Sequence, residues 1–435
     1  MLPVRLEWCN QFCSYSIMKQ TVAFVFALLL FFPTASTQEL EQWSRFRGPN
    51  GQGISTAVGL PTQWSNTENI AWKTPIPGEG WSSPIIWNDH IFLTSATDAG
   101  KECRVIAVNR KNGDILWNKP VFTQVLGQRH PRNSRATPTP VTDGQRVYAV
   151  FPNGHFVALD FSGNIVWTNT ELDFRSQHGL GTSPILYGDL LIIAINPTDG
   201  DDGFQEPWDK SYLLALDKNT GKERWRGKRG LSRIGHSVPV VIQVNGKDQI
   251  LSMAGDVIQG FEPETGELIW TVKNSGEPAV PTPAIGDGLI YVSTRTTNPI
   301  LAIKPDGKGD CTETHVVWMQ RRNSPMTASF LYVKPCLYSA HESGTFAAHD
   351  AMTGEILWQH RLEGRPDSSS IYANGKIYVT THIGTTTVFK LNDDPTKPAE
   401  VIAINETGET VQATLAVAGK QLFLRTDKEL WGIGK

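Results

Sequence analysis

Tryptophan recurs along this chain at a near-constant interval. Trp72, Trp117, Trp167, Trp225, Trp270, Trp318 and Trp358 lie 45, 50, 58, 45, 48 and 40 residues apart, so half of the 14 tryptophans follow one rough period. Such a period marks repeated supersecondary units that bury their apolar faces against one another. Five of the seven end the same frame: AVNRKNGDILW at Trp117, ALDFSGNIVW at Trp167, ALDKNTGKERW at Trp225, GFEPETGELIW at Trp270 and AHDAMTGEILW at Trp358. An apolar strand ends at an acidic or amide side chain that caps the turn, and glycine then supplies the positive φ of a tight hairpin. The tryptophan follows on the returning strand. Each indole buries ~150–250 Å², worth about 4–6 kcal/mol as an upper bound.

A second hairpin stands upstream of each tryptophan. Ser83-Pro84-Ile85-Ile86 leads through Asn88-Asp89 to His90-Ile91-Phe92-Leu93, and the alternation recurs in segments starting at Thr139, Ser183, Thr282, Ser369 and Thr414. Alternating apolar residues around Asn, Asp and Gly turns predict antiparallel strands, four to a unit. No stretch has the 3.6-residue period of a helix, so the fold class is all-β. Units fall at about 80–119, 135–169, 181–227, 235–273, 279–320, 326–361 and 367–405. The seventh ends in PAEVIAIN without its tryptophan. An eighth begins at Gln412 and has three strands, the last ELWGIG. Its missing fourth strand is present at the other end, where residues 69–74 carry Trp72 in the frame of a final blade strand. Pairing these with 428–434 predicts an eight-bladed β-propeller, residues 69–435, that leaves no open edge between blades.

Residues 1–37 read as an export signal region. Thr21–Phe32 is the one long apolar run; Met18-Lys19-Gln20 precede it and small residues follow, so Met18 is a candidate true start. About a dozen apolar residues fall short of a ~30 Å bilayer core, so the expectation is cleavage, no transmembrane anchor, and a periplasmic or secreted bacterial protein. Residues 38–68 are an N-terminal extension. Removing 1–37 takes away Arg5, Lys19 and Glu7 and leaves 38 basic against 42 acidic residues, a balance without the footprint of a nucleic-acid binder. Three cysteines remain, Cys103, Cys311 and Cys336. With no CxxC pair, neither a zinc nor a redox motif is expected; Cys311–Cys336 is the one disulfide worth testing, and separate buried thiols are the alternative.

The TGxxxW repeats resemble the tryptophan-docking repeats of quinoprotein (PQQ-type) propellers over roughly residues 64–435, with all seven period tryptophans as docking residues. Trp43-Ser-Arg-Phe-Arg-Gly-Pro-Asn-Gly-Gln-Gly53 is similar to the opening of exported bacterial PQQ-like repeat proteins. The resemblance implies one of two branches: PQQ-dependent dehydrogenases, with Ca²⁺ and the quinone in the central funnel, or non-catalytic scaffolds of the BamB type. The dehydrogenases often carry a disulfide between adjacent cysteines, and no two cysteines are adjacent here. The residues expected to line the funnel, among them Trp81, Arg135, His178, His236 and Asp367, offer one carboxylate, where Ca²⁺ takes six to eight oxygens. The expectation is therefore no catalytic residue, metal or cofactor. A binding or scaffold role toward an envelope protein or glycan leads; a PQQ–Ca²⁺ oxidoreductase and a carbohydrate-binding propeller are the alternatives. His178 and His236 are the candidate funnel pair, and Arg295, His341, His382 and Arg425 are candidates for a cationic rim of hairpin tips. Two insertions stand out, basic 118–134 with Gln128-Arg-His-Pro-Arg132 and acidic 196–210, which lacks the spacing of a calcium loop.

Overall fold

The computed structural model describes residues 42–172, 174–274, 276, 280–293 and 299–434; the signal region and Arg295 lie outside them. Eight four-stranded antiparallel blades follow one another around the ring, and two of them gain a short parallel strand at one edge. Blade 1 comprises Ile85–Trp87, His90–Thr97, Glu102–Asn109 and Ile115–Thr123. Blades 2 to 7 occupy 141–169, 185–228, 240–273, 284–320, 331–361 and 371–406. Blade 8 takes Ala416–Ala418, Gln421–Arg425 and Glu429–Ile433 from the C-terminus, and Ile70–Pro75 from the N-terminal side as its outer strand. The closing register runs from Ile70 opposite Ile433 to Pro75 opposite Glu429. One four-residue helical turn, Thr312–His315, is the one α-helix of the described residues.

In every blade the pairing of the third and fourth strands slips by one residue at the same place. The slip lies between Ile70 and Trp72 in blade 8, Ile165 and Trp167 in blade 2, Glu223 and Trp225 in blade 3, and Ile356 and Trp358 in blade 6. A bulge of this kind bends the strand and re-aims the next side chain, here throwing the indole toward the following blade. It docks on that blade's turn glycine: a Cβ on Gly221 would stand 2.4 Å from the Trp167 ring, and one on Gly266 2.4 Å from the Trp225 ring. The indole Nε1 of Trp72, Trp117, Trp167 and Trp318 donates to a carbonyl of the receiving turn, at Arg110, Phe161, Lys218 and Ala351, over 2.8–3.0 Å.

The frame breaks at three junctions. Trp270 does not dock forward, because an excursion replaces blade 5's glycine turn and lays Gly309–Asp310 parallel along the outer edge of blade 4. The indole turns back onto Gly260 and donates to Gln249 Oε1 at 2.9 Å. Trp358 packs against Tyr338 and Phe346 of its own blade, there being no turn glycine in blade 7 to receive it. Between blades 7 and 8 the Asn405 amide clasps the N-terminal extension, accepting from Trp64 N and donating to Thr62 O. Cys103, Cys311 and Cys336 are free and buried. The Cys311–Cys336 bridge does not form, since the two thiols sit in different apolar clusters, one under the edge of blade 4 and one between blades 6 and 7.

The extension is built into the ring. Trp43 exchanges both backbone bonds with Ile86 of blade 1, and Ser44 O receives Thr142 N of blade 2. Phe46 packs against the apolar cluster shared by blades 3 and 4, which includes Ile185 and Val238. The Gln52 side chain bonds Ile285 N and Pro283 O of blade 5, Arg47 donates to Phe330 O of blade 6, and Ile54–Ser55 pairs with blade 7. The innermost strands have edge groups that need partners, and this segment supplies them as a plug. These contacts run along the innermost strands, and Gln42, Ser44 and Asn50 reach the first-to-second strand turns at Asn88, Tyr187 and Gly188, so the plug closes that face of the channel.

Candidate functional site

The opposite face is open, and its geometry follows from the start of each blade. One residue per blade lines the axis, two positions before Ser83, Thr139, Ser183, Val238, Thr282, Ser329, Ser369 and Thr414: these are Trp81, Thr137, Gly181, His236, Val280, Thr327, Asp367 and Gln412, above a floor made by Phe46. Beneath them the amides of Ser83, Thr139, Thr282, Ser329, Ser369 and Thr414 each donate to a hydroxyl of the next blade, at 2.9–3.0 Å. The circuit is interrupted at Val238 of blade 4, which offers no hydroxyl, and the Thr282 hydroxyl beside the gap is buried without a partner.

The funnel narrows to a cavity of about 140 Å³, and a mouth of similar volume adjoins it under His130, Arg132, His178 and Met326. The sequence candidates His178 and His236 lie side by side: His178 Nδ1 and His236 Nε2 are 3.4 Å apart and the rings stack at 5.6 Å. His130 of the basic insertion adds a third imidazole, edge-on to His178 at 5.1 Å, and Phe204 of the acidic insertion closes on the other side at 4.9 Å. That acidic insertion is a folded knot: the Asp201 carbonyl accepts the amides of residues 204–206 and Trp208 covers Gly203. Neither His130 nor Phe204 was among the sequence candidates, because their place depends on how two insertions fold.

The other candidates disperse. Arg135 lines a separate groove of about 910 Å³ between the links of blades 1, 2 and 3, together with Arg129 and Arg175. Burial and the Arg129 charge hold the Arg135 guanidinium below its usual range. His341 bonds Ser343 of its own turn and His382 bonds the Arg365 backbone; neither lines the funnel. Arg425 is no rim cation. It is 2% exposed and donates to Ser82 O, Ser82 Oγ and Thr94 O, tying blade 8 to blade 1, with its pKa pushed down to about 9 by burial.

A quinone with Ca²⁺ does not fit this donor set. The lining carboxylate, Asp367, is held bidentately by Arg365 at 2.7 Å on both oxygens. A cavity of about 140 Å³ is below the ~300–1,000 Å³ of ordinary cofactor sites. No cluster of three or more metal-ligating side chains occurs among the described residues.

The family model described as outer membrane protein assembly factor BamB matches residues 54–177, 207–393 and 312–433. The outer membrane protein assembly factor BamB of Shewanella oneidensis is 23% identical over 198 residues, 44% of this chain and 43% of that protein. Tetrathionate hydrolase of Acidithiobacillus ferrooxidans is 22% identical over 360 residues, 73% and 66% respectively. The chain thus spans under two thirds of either relative. BamB from Moraxella catarrhalis superposes with a TM-score of 0.56 at 16% identity, covering 84% of this chain and 99% of that one. A europium-containing methanol dehydrogenase gives 0.52 at 12%, covering 89% of each. At such identities the two structures share the fold alone, whereas the repeat-by-repeat match along the ring places the chain in the propeller family described as outer membrane protein assembly factor BamB.

Proposed function

We propose that this chain is an exported, non-enzymatic propeller of the cell envelope that holds a protein partner on its open face. One observation carries the reading: the chain plugs one end of its own channel, while its long insertions gather around the other, framing the funnel mouth and the 910 Å³ groove. Inserted loops over a rigid scaffold are where recognition concentrates. Family membership supports a scaffold, and the poor fit of the lining to Ca²⁺ and PQQ weighs against a dehydrogenase. No helix of the described residues is long and apolar enough to cross a membrane.

Site-specific photocrosslinking in the native envelope tests this. A photoreactive residue at Val125 or Leu231, 93% and 67% exposed on the open face, is expected to trap a discrete protease-sensitive adduct, and one at Met352, 52% exposed on the plugged face, is not. A glycosidase-sensitive adduct would favour the carbohydrate reading. Alcohol-dependent dye reduction by the purified protein with PQQ and Ca²⁺ would overturn the non-enzymatic role.

A further inference from the structure

The plugged face holds a cation with nothing to neutralise it. Arg45 is 9% exposed, and its guanidinium makes no hydrogen bond or ion pair among the described residues; its Nε is buried without a partner. Arg47 and Arg229 also leave Nε unpartnered, so the contrast with the other buried arginines lies in the terminal nitrogens. Arg47 donates to the carbonyls of Gly51, Gln52 and Phe330, Arg229 to Ser252 Oγ and Gln259 Oε1, and Arg425 to three oxygens. Those three are structural clasps. Arg45 lines a depression of about 410 Å³ on the plugged face, with Ser44, Asn50, Thr142 and Tyr187 also on its walls. No carboxylate of the described residues lines it, and those next to its wall residues Thr142, Gly188 and Tyr187 are already engaged: Asp143 and Asp189 face Lys218 at 3.7 and 3.5 Å, and Asp248 accepts from the Tyr187 hydroxyl at 3.1 Å. Burial lowers the Arg45 pKa to about 10 and no neighbouring carboxylate offsets it.

A buried charge costs free energy unless a counter-charge meets it, and a guanidinium is the side chain best matched to a two-oxygen anion. We propose that Arg45 and the depression around it form a binding site for an oxyanion, either a carboxylate or a phosphate group, with Asn50 and Ser44 as accessory donors. The site lies across the channel from the face assigned to the protein partner and stands or falls independently of it.

The test melts purified protein in sodium chloride and, at matched ionic strength, in sodium phosphate and in sodium acetate. Wild type is expected to gain several degrees in one of the oxyanions at about a hundred times its Kd; phosphate or acetate as the effective salt identifies the group. Arg45→Met is expected to lose that gain while melting in chloride no lower than wild type, because the uncompensated charge is gone. Asn50→Asp, at an exposed position whose oxygen still caps Gln52 N, folds normally and is expected to weaken the gain about tenfold in apparent affinity, as like charge opposes the anion. An equal salt response in wild type and both variants overturns the proposal. So does an Arg45→Met protein that melts as far below wild type as Arg47→Met, since that would make Arg45 another clasp.

Discussion

Six amides around the channel end on a hydroxyl of the neighbouring blade. A buried amide deprived of its acceptor costs about 1–3 kcal/mol, while a hydroxyl that bonds nothing contributes only its burial penalty. Identical chemistry therefore has opposite consequences around one ring. Thr139→Val removes the acceptor of Ser83 N and is expected to lower stability by about 1–2 kcal/mol. Thr282→Val removes a hydroxyl that has no partner and is expected to be neutral or mildly stabilising. Urea denaturation of the two variants checks the pair; equal losses would mean that the ring is not what these hydroxyls serve. At this scale the sequence is least informative. Ser-Pro and Thr-Pro steps are visible in it, but a link between residues about 45 apart is defined only once neighbouring blades meet.

At the scale of elements, the tryptophan period, the turn frame and the hairpin alternation were sufficient to place eight blades and to pair 69–74 with 428–434. Each depends on local pattern and periodicity, which a single sequence displays. What a single sequence hides is where the frame is abandoned. Trp270 keeps the full frame yet turns back on its own blade, because the partner that should receive it is an excursion some 40 residues downstream. The turn glycine has two roles, a positive φ and room for the incoming indole, and these separate experimentally. Gly221→Ala meets both, at φ +71 with the Trp167 ring 2.4 Å from the new methyl, whereas Gly246 has φ +77 and open space. Gly246→Ala is expected to cost about 1–2 kcal/mol for the backbone alone. Gly221→Ala is expected to cost at least about 1–3 kcal/mol more, the range of an overpacked core. Equal losses in thermal or urea melts would show that docking adds nothing.

The molecule as a whole is a ring with one end stopped by its own leading segment. The ring is legible in the sequence, and so are the funnel positions of Trp81, His236 and Asp367, since these fall just before recognisable strands. Arg425 reads as a rim cation because a hairpin tip looks solvated in a strip of letters; only the closed ring shows blade 1 covering it. Residues 38–68 read as an extension outside the propeller, whereas 42–55 make contacts with seven blades. Glycine and proline in that segment read as loop; their place depends on unpaired strand edges supplied by every other part of the chain.

Native-state hydrogen exchange tests the closed circle most directly. If Ile70–Pro75 and Glu429–Ile433 share one sheet, their amides open together and only with the whole molecule, so both segments should show the same, near-maximal protection. Protection confined to 429–433, with 70–75 exchanging as fast as an open edge, would contradict the account.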